Sequence, residues 1–264
     1  MTAASDFLAL HHGPGFVLPN AWDAGSARLL EQVGFSALAT TSAGIAFALG
    51  RPDATVDGAT MLEHVAQVVA AVRVPVTADL ESGYGATPDD VGRTIAQAAD
   101  LGVVGANLED QRDGRLLDVD DAASRLAAAR AAAPPGTFVI NARTDTYFYP
   151  GAGDPFAETI ARATRYLDAG ADCIFVPGVD DAETIGRLAA EIPAPLNIVA
   201  GLTPTRLDTA TLFSLGVKRI SLGGSIARAA YSLVERAGRE LLETGTLDFL
   251  DGAISYADLQ RRLA

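Results

Sequence analysis

The chain has 264 residues, with 33 acidic against 20 basic side chains for a formal charge of -13, and 49% of it is hydrophobic. So acidic a balance excludes the electrostatic footprint of a nucleic-acid or anionic-membrane binder, and the composition is that of an ordered soluble protein able to bury a sizeable core. One cysteine, Cys173, leaves no intrachain disulfide framework; with an N-terminus free of signal-peptide character and no convincing membrane span, a cytoplasmic protein is expected.

Taken in order, Phe16 to Asn20 predicts a short strand and Asp23 to Val33 a helix closed by Gly34. Phe35 to Ala39 predicts a second strand, then a long Thr-Ser-Gly loop through Asp53 and a helix from about Gly58 to Val72. A structureless connection of that length is a functional suspect. Val76 to Leu80 reads as a buried strand running into Glu81-Ser82-Gly83-Tyr84-Gly85. The glycines allow a sharp turn, and Thr87-Pro88 starts a helix to Leu101 with Thr87 as N-cap. Further strand and helix pairs follow: Val103 to Leu108 with Val119 to Ala132, Phe138 to Asp145 with Asp154 to Ala169, and Cys173 to Gly178 with Asp180 to Glu191. Pro195 to Val199 pairs with Thr203 to Leu215, and Lys218 to Leu222 with a long helix from Gly223-Gly224 towards Leu242. A last helical stretch lies between Asp248 and Leu263.

Eight short strands alternating with helices over about 230 residues match an α/β fold of the (β/α)8 TIM-barrel type. A doubly wound sheet is the rival, but the glycine-rich turns lack the dinucleotide-binding pattern. The expectation is one barrel domain over residues 1–264, with residues 225–264 as a C-terminal helical extension used in oligomerisation, because helices beyond a complete barrel need cover for Leu233, Leu241, Leu242, Phe249 and Leu250.

Barrel enzymes carry their sites at the carboxyl ends of the strands, and those ends are acidic here. Side chains alternate along a strand, so Asp79 and Glu81 share a face while Leu80 takes the other. Glu109 ends the fourth strand, Arg143 the fifth with Asn141 on its face, Asp53 and Ser42-Ala43-Gly44 sit in the loop after the second, and Asn197 lies near the end of the seventh. Converging carboxylates repel one another unless a cation intervenes, and a set of oxygens without His or Cys selects Mg2+, with Mn2+ as substitute. Such an ion would polarise a 2-oxo or enolate oxygen while Arg143 and the amides of Ser42 to Gly44 hold a carboxylate. The bland alternatives stand beside these. Arg143 could pair with Asp145 or Glu109, Ser42 could be a turn former, Asn197 a strand-end hydrogen bonder and Trp22 core packing rather than a pocket wall. Gly223-Gly224 could cradle phosphate or pack a helix closely. His11, His12 and His64 suit surface or satisfied positions, and Cys173, four residues below Pro177, should be a buried inert thiol well away from the rim.

Pro19-Asn20-Ala21-Trp22-Asp23, Thr41-Ser42-Ala43-Gly44, the run from Asp79 to Gly85, Leu108-Glu109-Asp110-Gln111 and Asn141-Ala142-Arg143-Thr144-Asp145 together resemble the isocitrate lyase and phosphoenolpyruvate mutase superfamily. The resemblance implies a Mg2+-dependent barrel enzyme that makes or breaks C–C or P–C bonds beside a 2-oxo acid through an enolate-like species. It implies Asp79, Glu81 and Glu109 as the metal-binding set, with Asp79 the direct ligand and Glu81, Glu109 and Asp53 supporting it through water. Asp53, Arg143 and Glu109 are the implied catalytic residues, and Trp22, Ser42, Ala43, Gly44, Asp79, Arg143 and Asn197 the substrate-binding ones. It also implies a homodimer or homotetramer. Two departures bear on the reaction. After Gln111 comes Arg112-Asp113-Gly114-Arg115-Leu116, without the cysteine motif of the isocitrate-type lyases, and no asparagine lies between Arg112 and Gly136 where the phosphonomutases use one. The expected activity is cleavage of a C–C bond of a small 2-oxo or 2-hydroxy dicarboxylate such as oxaloacetate. A phosphonomutase on a phosphonate substrate, or a non-catalytic binder on the same fold, are the alternatives.

Overall fold

The computed structural model describes residues 2–151, 153–204 and 207–264. An N-terminal helix α1 (Ala3–His11) precedes β1 (Phe16–Leu18), β2 (Asn20–Ala21), α2 (Ala24–Val33), β3 (Leu38–Thr40), α3 (Ser42–Ala48), α4 (Gly58–Ala71) and β4 (Val76–Asp79). Then come α5 (Pro88–Asp100), β5 (Gly105–Glu109), the hairpin of β6 (Gln111–Arg112) and β7 (Arg115–Leu116), α6 (Val119–Ala132), β8 (Val139–Arg143), α7 (Pro155–Asp168) and β9 (Cys173–Phe175). The chain finishes with α8 (Ala182–Glu191), β10 (Leu196–Val199), α9 (Thr209–Ser214), β11 (Arg219–Ser221), α10 (Ser225–Glu243) and α11 (Tyr256–Leu263).

All pairings of the main sheet are parallel, in the order β1-β11-β10-β9-β8-β5-β4-β3-β2. β1 and β2 are two halves of one strand interrupted at Pro19, which has no N–H to give a ladder. The first half pairs with β11 and the second with β3, so the sheet closes on itself as the eight-stranded (β/α)8 barrel that the alternation of elements predicts. Asn20 fastens the seam, its Nδ2 donating to Thr40 O at 2.7 Å and its Oδ1 accepting from the amides of Leu222 and Gly223 at 2.9 Å each.

Outward-facing Ala78, Ala106, Ile140, Ile174, Ile198 and Ile220 are buried against the helices. The alternate positions, Thr77, Asn107, Asn141, Asn197 and Arg219, are also buried but polar, where barrel interiors usually carry branched aliphatics. Below them α1 brings Phe7 and His11 against Phe16 in edge-to-face ring contacts.

The structure differs from the sequence reading at four places. Residues 42–48 of the supposed loop after the second strand form α3, because the Thr41 hydroxyl caps the Gly44 amide at 3.2 Å ahead of a run of small and apolar side chains. α1, set by a Thr2/Ser5 capping box, carries no strong periodicity and is not among the predicted elements; of the two positions allowed for His11 it takes the buried one, with Nδ1 3.0 Å from Phe7 O. The segment after Gln111 pairs with itself as a hairpin. The helix expected from Thr203 to Leu215 is the shorter α9, capped by Asp208; Thr205 and Arg206 lie outside the described residues. Among the described residues no helix is long and apolar enough to cross a membrane.

Candidate active site

At the carboxyl ends of the strands is a cavity of about 370 Å³. Its lining includes Ser42, Ala43, Asp53, Asp79, Glu81, Glu109, Arg143 and Asp145. Among the described residues five carboxylates thus face one guanidinium, with Phe148, Tyr149 and Leu202 exposed at the mouth. A second cavity of about 380 Å³ beside α8 and α10 is lined by side chains such as Ile185, Ile198 and Leu212, with Asp180 as its one charged group among the described residues.

Asp79 ends β4, and α3 is aimed at it. The Ser42 amide and hydroxyl donate to its Oδ2 at 3.0 and 2.9 Å, while Oδ1 takes no hydrogen bond from the protein among the described residues. Glu81 lies beyond the strand with left-handed backbone (φ 49°), as does Tyr84 (φ 55°). Such angles are uncommon without glycine and are held only where the surroundings enforce them. Here the Glu109 amide bonds Glu81 O at 2.9 Å, and the Tyr84 hydroxyl donates to Glu81 Oε1 at 3.1 Å. Gly83 (φ 89°) and Gly85 make the turn possible, since a Cβ at either would lie 2.8 Å from Val91 or 2.1 Å from Asp90.

Arg143 bridges two acids. Its Nη1 lies 2.9 Å from Glu109 Oε2, and its Nε and Nη2 bond the two oxygens of Asp145 at 2.6 and 2.9 Å. It therefore does what the bland reading proposed, yet a guanidinium has five N–H groups, so one on Nη1 and one on Nη2 remain. Gln111 Nε2 donates to Glu109 Oε1 at 2.6 Å. Asp110 points the other way, as strand alternation requires, and takes the Asp145 amide, Arg162 and the Tyr166 hydroxyl at 2.9, 3.1 and 2.6 Å. It is a buttress behind Arg143 that residue type alone did not distinguish from a site acid.

Not every expected residue reaches the pocket. The Ser42 amide is taken by Asp79 and the Gly44 amide by Thr41, so of the expected carboxylate-binding turn the Ala43 amide is the one these bonds leave over. Gly44 is in the site for closeness of packing, because a Cβ there would meet Thr41 Cγ2 at 2.6 Å and Trp22 Cβ at 2.9 Å. Trp22 stands behind that wall against the core and does not line the cavity. Asn197 is fully buried inside β10 below the cavity, its Oδ1 accepting from the Ser221 hydroxyl at 3.2 Å. At Gly223-Gly224 the Gly223 amide serves the Asn20 seam rather than a phosphate. Asn20, Asn107, Tyr149 and Phe175 line the cavity without having been singled out as site residues.

Asp79, Glu81 and Glu109 share the cavity, but among the described residues no three Asp, Glu, His or Cys side chains form a preassembled metal cage. Their electrostatics nonetheless call for a cation. Burial and the Asp79 charge push the Glu81 carboxyl up to about 7, and the same two causes raise Asp53. Burial also raises Glu109 against the pull of Arg143. An oxygen-only set with an excess of negative charge, in which Asp79 Oδ1 is among the carboxylate oxygens taking no hydrogen bond from the described residues, fits Mg2+ held by Asp79, water and substrate oxygens.

Cys173 lies on the inner face two residues below Phe175, which lines the cavity, so one layer of side chains separates them and the thiol is nearer than counting to Pro177 suggests. It is fully buried, and burial pushes it up to about 12.

The sequence profile of the family described as phosphoenolpyruvate phosphomutase matches residues 7–242. The 2,3-dimethylmalate lyase of Eubacterium barkeri is 34% identical over 76% of this chain and 72% of its own. A Burkholderia cenocepacia J2315 protein assigned no further than lyase or mutase has a solved structure with TM-score 0.93 at 44% identity, covering 98% of this chain and 95% of that one. Oxaloacetate acetylhydrolase with its product oxalate gives TM-score 0.87 at 28% identity, over 99% and 93% of the two chains.

Two outcomes follow from the site's electrostatics. A carboxyl whose folded pKa lies above its unfolded value binds more protons in the native state, so stability is lost as pH rises from the unfolded value through the folded one. In EDTA the protein should lose about 1–2 kcal/mol between pH 5 and pH 8, allowing for solvent screening, and Glu81→Gln should flatten that slope in urea titrations; an unchanged slope would clear Glu81 of the effect. An aromatic disulfide reagent should leave the Cys173 thiol unlabelled in native protein and react with it fully in guanidinium, and fast native labelling would contradict its burial.

Proposed function

The chain belongs to the phosphoenolpyruvate phosphomutase family within the isocitrate lyase superfamily, and on that footing we propose that it is a Mg2+-dependent lyase cleaving a C–C bond of a small 2-oxo or 2-hydroxy dicarboxylate of the oxaloacetate or substituted-malate type. The observation that carries this reading is the cavity's inventory among the described residues: five carboxylates, one arginine with two N–H groups to spare, and no His, Cys or Lys in the lining. The relatives' names point the same way, since one acts on dimethylmalate and another releases oxalate. The short hairpin after Glu109 brings no thiol or imidazole acid to the site, which suits a cleavage that leaves an enolate and carbon dioxide or a neutral carbonyl.

Asp79 Oδ1 would hold the metal, with Glu81, Glu109 and Asp53 reaching it through water, and Mn2+ would substitute. When bound, the ion supplies an electrophile that favours the enolate over the intact substrate. The remaining work belongs to the protein. Arg143, locked by Asp145 and Glu109, offers its two remaining N–H groups to the substrate carboxylate in fixed geometry. The Ala43 amide adds a donor on the facing wall. Glu81, titrating near 7 beside the Tyr84 hydroxyl, is suited to move a proton at the enolate carbon at neutral pH. Phe148, Tyr149 and Leu202 screen the mouth from water. A phosphonomutase is the alternative that the family profile keeps in view. A cytoplasmic setting suits the buried reduced thiol. Val234, Leu241 and Leu242 along α10 are 67%, 48% and 90% exposed, an apolar stripe that a homodimer or homotetramer would cover.

Product NMR with Mg2+ and a panel of oxaloacetate, substituted malates, phosphonopyruvate and phosphoenolpyruvate tests the reading. Cleavage of a dicarboxylate, abolished by EDTA and lowered about a hundredfold or more in Asp79→Asn, is expected. Rearrangement of a P–C bond would establish the mutase instead, and inertness toward the whole panel would leave a binding protein. Light scattering at micromolar concentration should give a mass at least twice the 27.3 kDa of one chain; a monomer would contradict the oligomer.

A further inference from the structure

Arg219 is fully buried inside the barrel, and none of its nitrogens is within ion-pair distance of a carboxylate among the described residues. Its Nε and Nη1 have no partner, and the guanidinium lies 5.8 Å from the Phe7 ring. Its immediate titratable neighbours supply no counter-charge, since burial pushes His11 down to about 3, leaving it neutral, and Cys173 stays protonated; the one carboxylate whose charge favours it is Asp79, beyond ion-pair distance. An unpaired buried cation is costly, so the one hydrogen bond it makes is informative. Arg219 Nη2 donates to Asn107 Oδ1 at 3.0 Å, and Asn141 Nδ2 donates to the same oxygen at 2.7 Å.

We propose that Arg219 sets the polarity of the Asn107 side-chain amide, so that Asn107 presents its Nδ2 N–H groups to the cavity as a donor for an oxygen of the anionic substrate. Two asparagines alone could settle in either orientation. Arginine offers donors only, so a flipped Asn107 would set its own N–H groups against Nη2. Asn107 Oδ1 is thereby fixed as the acceptor, Asn141 has to present its nitrogen to it, and the Asn141 Oδ1 is left buried without a partner, as observed. Asn107 lines the cavity and is 5% exposed. Its Nδ2 makes no protein hydrogen bond among the described residues and is not among the enclosed polar atoms lacking a partner, so it opens on the cavity. Asn107 is level with Asp79 in the β4 and β5 pairing, which places this donor on the floor beside the acid proposed to hold the metal. Arg219 is in this account a positioning residue, acting through Asn107.

The inference rests on the reading of the cavity as a 2-oxo acid site, and calorimetric titration of Mg2+-loaded protein with oxalate separates the two. Wild type should bind oxalate only with Mg2+. Asn107→Asp, nearly isosteric but with an acceptor where the donor stood, should weaken oxalate about 10- to 100-fold. Arg219→Gln, which can accept as well as donate, should weaken it several-fold, while the donor-only Arg219→Lys should stay near wild type at matched melting temperature. A merely structural role for Arg219 would track stability and not donor character. Wild type that fails to bind oxalate overturns the parent reading along with this one. Oxalate binding undiminished in Asn107→Asp, or equally weakened in Arg219→Gln and Arg219→Lys, overturns the amide assignment alone. Asn107→Asp decides the question by itself if either Arg219 variant does not fold.

Discussion

The geometry of the site depends on Arg143. Among the described residues five carboxylates open on one cavity, and the one guanidinium in its lining is shared between Glu109 and Asp145. Without that positive charge, two carboxylates near the end of β8 and β5 would have to be protonated or move apart. With it, Glu109 is held inward and Asp145 is seated on its own amide bond to Asp110, which in turn is anchored by Arg162 and Tyr166 from α7. The inner ring of site acids is thus braced through an outer ring of buried hydrogen bonds to a helix, and the same aspartate-rich strand ends serve both. Arg143 also rests over the Phe175 ring at 5.6 Å, which fixes the plane of its remaining donors.

The barrel below the site is unusual in a related way. Its inward positions carry Thr77, Asn107, Asn141, Asn197 and Arg219 where a purely structural barrel would place branched aliphatics. Several of their polar atoms are enclosed without partners, a condition that costs stability. A polar column under an acidic pocket therefore reads as something retained for the pocket, because an apolar filling would be the more stable solution. The layer between helices and strands, with Ile95, Leu126 and Leu188 from the helices packed with strand residues such as Ile220, carries the stability that the interior gives up.

Much of this is legible in the chain, for identifiable reasons. The alternation of short apolar runs with capped helices reports the barrel because each strand is buried on its outer face and each helix has its own start signal, as with Thr87-Pro88 and Asp23. Asp79, Glu109 and Arg143 are legible because two-residue periodicity places them inward at strand ends. Glu81 also faces inward, but by a different route: β4 stops at Asp79, and a left-handed backbone angle tied to the Glu109 amide carries the carboxylate round. What stayed hidden depends on partners distant in sequence. α3 is stabilised by one threonine cap and by close approach to Trp22, the amides of its first turn are consumed by Asp79 and Thr41, and Asn197 and Asn107 differ in their access to the cavity though both are inward asparagines on strands. No periodicity distinguishes those cases.

The pocket's charge imbalance ties cation binding to proton release. Burial, with the repulsion of neighbouring acids added to it, lets Glu81 hold its proton up to about neutral pH and raises Asp53 and Glu109 above the usual range. On the proposed reading a divalent cation would offset that repulsion and displace those protons, so affinity for it would rise with pH across the range in which Glu81 titrates. An anionic substrate would then enter a pocket whose excess negative charge is reduced, with Arg143 supplying the one fixed positive charge of the lining among the described residues. On that reading the fold constrains the order in which charge is assembled: an anion arriving before the cation would meet the full excess of carboxylates, and one arriving after it a less negative site.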